Sequence, residues 1–425
     1  MSTFKLSETV LPNGLRAVLL PRRESETVTF LVLVGVGSRY ETPRQAGLSH
    51  FLEHMFFKGT EKRPTTQEIA EAIDNVGGEF NAFTGEEYTG YYVKVAAKYL
   101  ARGADVVADI LLRPLFPPEE IERERGVIME EMKMYTETPM RHVWHLWNQA
   151  LFGNHPLGRR IDGKPETVGK LQKKDFVNYT HHHYHTGNVV VAVAGMFDED
   201  KTKKLLAGLF DDLAVGEETK PKPVGKRLPV ERVVFESRPS LDQTHLLVGV
   251  PGVSMTDERR WAAGVLSVIL GGGMSSRLFI QVRERRGLAY AIRMSSESLT
   301  DTGMLVTQAG VRTDKAPEAL KIILEEYDRA MNEPPAKEEL NKAKQMMRGQ
   351  MLIEMEETNS LAAFAGAQKL LVGKIQKPDE VLARIDAVQP SDVQRVAGEL
   401  LTAPKRALAL LGPQKSAGAF MRQLG

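Results

Sequence analysis

A chain of 425 residues, 42% hydrophobic and 26% charged, can build two or three hydrophobic cores at roughly 150 residues per domain, which excludes a disulfide-stapled mini-protein and a disordered segment. Lys plus Arg number 56 and Asp plus Glu 55, so a net charge of +1 gives no electrostatic case for a nucleic-acid binder or a polybasic membrane binder. Cysteine is absent, which removes thiol nucleophiles, disulfides, iron–sulfur clusters and thiolate zinc sites and leaves any metal to His, Asp and Glu.

The opening MSTFKLSETVLPNGL lacks a basic start followed by an apolar core, so no signal or transit peptide is expected. The longest apolar runs, at 28–36 and 261–274, fall short of the roughly 20 residues a spanning helix needs. The expectation is a cytoplasmic chain without a membrane segment.

In chain order, TVTFLVLVGVGS at 27–38 reads as a buried strand and is followed by a helical stretch. EYTGYYVKVAA is a second extended segment, KYLARGADVVADILL a helix, and Pro117-Pro118 opens a long acidic-to-basic helix before the extended VVVAVAG at 189–195. The same order recurs a little over two hundred residues later, as THLLVGVPGVS at 244–254, GMLVTQAGV, KAPEALKIILEEYDRA, the Pro334-Pro335 helix and ALALLG at 407–412. Irregular mixing of strands and helices predicts an α+β class with two duplicated domains rather than one doubly wound sheet. The boundaries expected are 1–215 for the first domain, a polar, proline-punctuated linker at 216–233, and 234–425 for the second.

The first helix carries the most informative residues. Thr42-Pro43 predicts its start and Gly59 its stop, and RQAGLSHFLEHMFFK lies between them. His50 and His54 are four apart and share a face with Glu53, while Leu48, Phe51, Leu52, Met55, Phe56 and Phe57 make almost every other side apolar. Burying two imidazoles and a carboxylate without partners costs several kcal/mol, and a divalent metal with both histidines as ligands meets that need. The Pro118 helix has an apolar seam at three-four spacing through Ile121, Ile128 and Tyr135, with Glu124 and Glu131 at two seam positions. Glu120, Glu122 and Glu130 fall off the seam and read as solvated surface. The two inward carboxylates are candidates for the third ligand; two His, one Glu and a water make a tetrahedral zinc site with an open position.

HFLEH, followed 77 positions after its second His by the last Glu of ERGVIMEE, resembles the inverted-zincin metallopeptidases of the pitrilysin, insulysin and mitochondrial processing peptidase family. The resemblance covers the whole chain. It implies two α/β-sandwich domains with mostly antiparallel sheets covered by helices, and one Zn2+ per chain held by His50, His54 and Glu131. It further implies Glu53 as general base and Glu124 as a supporting second acid. GGEFNAFTGEEYTGYY resembles the family's substrate-binding edge strand, where Asn81, Ala82 and Thr84 would line an added peptide strand. SSRLFIQVRERRGLAY resembles the element whose Arg and Tyr, here Arg283 and Tyr290, contact the substrate carbonyl and developing oxyanion. The second half lacks the His-x-x-Glu-His pattern, and Gly271 to Gly273 read as a helix end rather than a phosphate loop.

The expected activity is a zinc-dependent endopeptidase or oligopeptidase acting on short or unfolded polypeptides, in a homodimer that closes a chamber. Two alternatives stand beside it. One is a non-catalytic structural or partner subunit. The other is a zinc carboxypeptidase-like site using His50, Glu53 and His182, the last from the cluster His181, His182, His183 and His185, which otherwise reads as a helix-to-strand corner. His142 and His145 read as packing residues on a helix with Trp144 and Trp147.

Overall fold

A computed structural model describes residues 5–225 and 231–424. Part of the expected linker, 226–230, lies outside the described residues. The first half of the chain runs β1 (Ser7–Val10), β2 (Arg16–Pro21), β3 (Thr27–Val34), α1 (Leu48–Met55), α2 (Thr66–Asp74), β4 (Glu79–Thr84), β5 (Thr89–Ala96), α3 (Leu100–Leu112), α4 (Pro118–Glu137), α5 (Pro139–Phe152), α6 (Pro165–Val168), α7 (Lys173–His183), β6 (Val189–Gly195) and α8 (Glu199–Leu209). The second runs β7 (Val233–Ser237), β8 (Gln243–Pro251), α9 (Arg260–Gly271), β9 (Ala289–Ser298), β10 (Gly303–Arg312), α10 (Ala316–Asn332), α11 (Lys337–Glu354), α12 (Thr358–Leu371), α13 (Pro378–Ala387), α14 (Pro390–Leu400) and β11 (Ala407–Gly412).

The strands form two sheets, ordered β1-β2-β6-β3-β5-β4 and β7-β11-β8-β10-β9. Apart from the added β1, the orders correspond strand for strand. Each sheet has one parallel pair at the same place, β2 with β6 and β7 with β11, and every other pairing is antiparallel. The duplicated α/β plan with mostly antiparallel, helix-covered sheets is therefore present. Among the described residues no helix is long and apolar enough to cross a membrane.

The chain divides into two compact units that interleave along the sequence. One comprises Met1–Met132, Arg160–Lys222 and Leu352–Pro378; the other comprises Lys133–Arg159, Pro223–Met351 and Asp379–Gly425. In the first unit, alternate residues of β3 serve two cores. Val28, Phe30, Val32 and Val34 pack with α1, α3 and α4, while Leu31 and Leu33 pack with Leu361, Ala362 and Ala365 of α12. Burial on both faces is why 28–36 is apolar without alternation. The helix covering the second face thus comes from the other half of the sequence, and it approaches closely: a Cβ on Gly366 would stand 2.8 Å from Leu33 Cδ1 and 3.1 Å from Ala192 Cβ.

The second unit mirrors this. Leu246, Val248 and Val250 of β8 pack with α9, α10 and α14, while Leu247 packs with Val143, Trp147 and Leu151 of α5, a helix from the first half. Trp147 Nε1 points at Met304 Sδ, 3.2 Å away. Each fully buried Leu, Val or Ile here contributes about 1.5–3 kcal/mol.

Candidate metal centre

α1 is shorter than the sequence signals suggest. Thr42-Pro43 does not start it: Thr42 Oγ1 donates to Gln45 Oε1 at 2.8 Å, and the N-cap is Gly47 at φ 94°, without a capping side chain of its own. The carboxylate of Glu41 supplies the cap from outside, accepting from the N–H groups of Gly47 (2.9 Å) and Ser49 (2.7 Å). At the other end Gly59, with φ 121°, lies four residues beyond Met55. Leu48, Phe51, Leu52, Met55 and Phe56 are buried, and His50, Glu53 and His54 are partly exposed.

α4 spans Pro118–Glu137 and buries Ile121, Glu124, Ile128 and Met132. The last of these displaces the expected seam by one residue, so Glu131 is half-buried at the histidines rather than packed inward, while Glu122 and Glu130 are exposed. Glu131 Oε2 lies 3.7 Å from both His50 Nε2 and His54 Nε2. Among the described residues, His50, His54 and Glu131 are the one group of three that can offer donor atoms to a common metal ion, all within 4.8 Å of one another.

Neighbours fix this donor set. Glu124 Oε1 lies 2.8 Å from His54 Nδ1 and its Oε2 lies 2.6 Å from Lys58 Nζ. A proton on Nδ1 leaves the Nε2 lone pair of His54 turned toward Glu131. Burial opposes a charge on His54, but the bond to Glu124 and the nearby carboxylates raise its pKa overall. Glu124 is held below the usual carboxylate range: burial pushes it up, and the bonds from His54 and Lys58 override that. His50 is pushed down by burial and by the neighbouring His54, and its Nδ1 is buried with no hydrogen-bond partner among the described residues. Glu53 is raised by burial, against the opposing effect of Thr84, whose Oγ1 donates to Glu53 Oε2 at 2.5 Å. Two imidazole nitrogens and one carboxylate oxygen, with a second carboxylate ordering one imidazole, fit a tetrahedral zinc ion with an open position.

Thr84 ends β4, the edge strand of its sheet, bonded to β5 on one side. Ala82 and Thr84 face one way along the strand and Asn81 the other. Asn81 Oδ1 accepts from the Ala82 N–H at 2.8 Å.

Arg283 and Tyr290 belong to the other unit. The segment Phe279–Glu284 winds as a π-helical turn, and the Arg283 guanidinium lies over the rings of Phe279 (4.8 Å) and Tyr290 (5.6 Å). Tyr290 is 77% exposed on β9. Gly271 closes α9, as a helix end.

His182 stands exposed in the last turn of α7, its ring 4.6 Å from that of His183, and it is not in the donor group. His142 pairs through Nε2 with Glu236 Oε2 at 2.6 Å, against β7. Sequence reasoning missed Glu41 and Lys58. Lys58 had a signal, one turn beyond His54; the Glu41 cap depends on a loop geometry that spacing does not reveal.

Residues 17–164 match the family model of insulinase (peptidase family M16), and residues 170–347 match that of the peptidase M16 inactive domain. An uncharacterized zinc protease of Streptomyces coelicolor is 38% identical over 96% of this chain and 89% of its own length. One of Bacillus subtilis is 36% identical over 94% and 97%. A protease from Helicobacter pylori has the same fold, with a TM-score of 0.89 at 22% identity over 96% of this chain and 100% of its own. With the His–His–Glu cluster carried on the matched segment, the chain belongs to the insulinase family, peptidase family M16.

Proposed function

We propose that the chain is a zinc-dependent endopeptidase or oligopeptidase that hydrolyses peptide bonds of short or unfolded polypeptides. The observation that carries this reading is the convergence of His50, His54 and Glu131 on one point, with Glu53 on the same helix and tied by Thr84 to an open strand edge. His50, His54 and Glu131 would hold the zinc ion, which when bound supplies a Lewis acid that polarises a peptide carbonyl and acidifies water.

The rest is done by the chain. Glu124 keeps His54 in one tautomer and orientation. Glu53, its proton affinity raised by burial, takes a proton from the attacking water and returns it to the leaving amine. The Thr84 hydroxyl holds one oxygen of that carboxylate in place. The free edge of β4 accepts an extended peptide as an added strand, so recognition rests on main-chain hydrogen bonds, with Asn81 on one side and Ala82 and Thr84 on the other. Such readout favours unfolded substrates, because a folded one has no free strand to offer. Arg283 and Tyr290 are assigned to the substrate carbonyl and its developing negative charge. The reading extends to a homodimer enclosing the peptide and to action in the cytoplasm, which sedimentation and cell fractionation test.

The deciding experiment is hydrolysis of a fluorogenic peptide with and without chelator, beside Glu53→Gln. Cleavage is expected in the zinc-loaded chain and lost with chelator. Glu53→Gln should keep zinc and lose activity by about a thousandfold or more. Full activity in Glu53→Gln rejects the base, and a zinc-loaded wild-type chain inert on all peptides favours the non-catalytic subunit.

A further inference from the structure

The residues Gly37 to Glu41 join β3 to the turns before α1, and two of them, Arg39 and Glu41, are charged and buried. Toward α1, Glu41 grips the N–H groups of Gly47 and Ser49, ending one residue before His50. Toward the β4–β5 turn, the N–H groups of Ser38 and Arg39 donate to the carbonyls of Gly85 (3.2 Å) and Glu86 (2.9 Å). The two segments touch so closely that a Cβ on Gly37 would stand 2.2 Å from the Gly85 carbonyl oxygen. Arg39 Nη1 then donates to Glu87 Oε1 at 2.6 Å, with the two side chains 0% and 2% exposed. Its Nε and Nη2 reach the Lys222 carbonyl at 3.3 and 2.9 Å.

These contacts close a ring. Thr84, next to Gly85, returns to α1 through Glu53. The helix bearing His50, Glu53 and His54 and the hairpin bearing the open edge are thus joined twice, by Thr84 and by the Arg39–Glu41 segment. A buried ion pair is an expensive way to gain stability, because apolar packing of the same volume does as well. What the guanidinium adds is direction: its planar fork meets Glu87 and the Lys222 carbonyl in one orientation only.

We infer that Arg39 is a positioning residue for peptide hydrolysis, setting the β4–β5 hairpin against α1 so that a peptide on the β4 edge lies at Glu53 and the His50, His54 and Glu131 cluster. The inference rests on the peptidase reading above. Substrate does not touch Arg39; it acts through Glu87 and the hairpin.

Arg39→Met alone takes the guanidinium away from the buried Glu87 carboxylate and keeps its charge, so the informative variant is the double Arg39→Met, Glu87→Met, which removes both charges. Arg39→Lys runs beside it. In the folded double variant, zinc content should equal wild type, KM for a fluorogenic peptide should rise about tenfold or more, and amides of 79–89 should exchange about tenfold faster with α1 unchanged. Partial unfolding alone would lower kcat and leave KM where it was. Arg39→Lys, which can still meet Glu87 but lacks the fork that also reaches the Lys222 carbonyl, should raise KM by less than the double variant without returning it to the wild-type value. A KM within about twofold of wild type in the zinc-replete double variant overturns the inference. If wild type itself cleaves no peptide, the peptidase reading fails instead, and unaltered exchange in the hairpin then rejects the positioning role by itself.

Discussion

Glu124 Oε1 stands 2.8 Å from His54 Nδ1, while the other oxygen of that carboxylate is 2.6 Å from Lys58 Nζ. The carboxylate therefore has two cationic or proton-donating partners and does not face the donor group directly; His54 does, through the opposite ring nitrogen. A seam carboxylate that the spacing alone leaves open as a ligand stands in the structure behind a histidine of the donor group, not within that group.

From this it follows that Glu124→Ala should weaken zinc binding by about 10–100-fold without abolishing it, because the imidazole remains and only its tautomer and orientation are released. Glu124→Gln, which keeps an acceptor for Nδ1–H, should fall between. Zinc titration against a competing chelator measures both; wild-type affinity in Glu124→Ala would show that the bond does not order the ligand.

Adjacent carboxylates on α4 give a sharper contrast. Glu131 approaches both imidazoles, whereas Glu130 is solvent exposed on the neighbouring face. After dialysis, Glu130→Ala should retain the wild-type zinc content and Glu131→Ala should lose most of it. Zinc retained in full by Glu131→Ala would remove it from the ligand set.

How far the site was legible follows from the range of each interaction. His50, Glu53 and His54 lie within one turn of helix, so their common face can be read from spacing, and the apolar residues between them announce burial. The carboxylates of α4 were legible for the same reason, although the shift from position 131 to Met132 came from packing that periodicity does not carry. The expected helix start at Thr42-Pro43 failed because a side chain outside the helix, Glu41, caps a left-handed Gly47. The repeat implied that both halves share one plan, but not the strand order within each sheet, nor that α12 would cover β3 and α5 would cover β8. Those pairings join segments from opposite halves of the sequence, and no local pattern distinguishes one apolar sheet face from another.

Two glycines should respond oppositely to alanine. Gly47 holds φ 94°, and its Cβ would stand 2.7 Å from the Asp162 carbonyl oxygen and 2.8 Å from Val168 Cγ2. Gly47→Ala should cost about 1–3 kcal/mol and lower zinc affinity by displacing the start of α1. Gly126 sits exposed in the interior of α4 with open space around a built Cβ, so Gly126→Ala should gain about 0.5–1 kcal/mol from helix propensity. Urea unfolding of both variants is the check, and equal midpoints would contradict the strain assigned to Gly47.

His183 supplies the pH prediction. Burial, then the neighbouring His182 and His185, lower its pKa to about 3. Its ring packs 4.5 Å from that of Tyr179 and its Nδ1 lies 3.4 Å from Thr219 Oγ1. On acidification the unfolded chain takes up a proton at this residue near the ordinary value of about 6.5, and the folded chain does not until about 3. The unfolded state therefore binds the extra proton across that window, and folding stability falls as pH drops through it. His183→Gln cannot take up that proton. With chelator present in both samples, so that zinc release plays no part, the stability of wild type relative to the variant should be flat above pH ~7 and decline by about 2 kcal/mol on reaching pH ~5. A difference that stays constant from pH 7 to pH 5 would mean that His183 titrates in the folded chain as it does in the unfolded one.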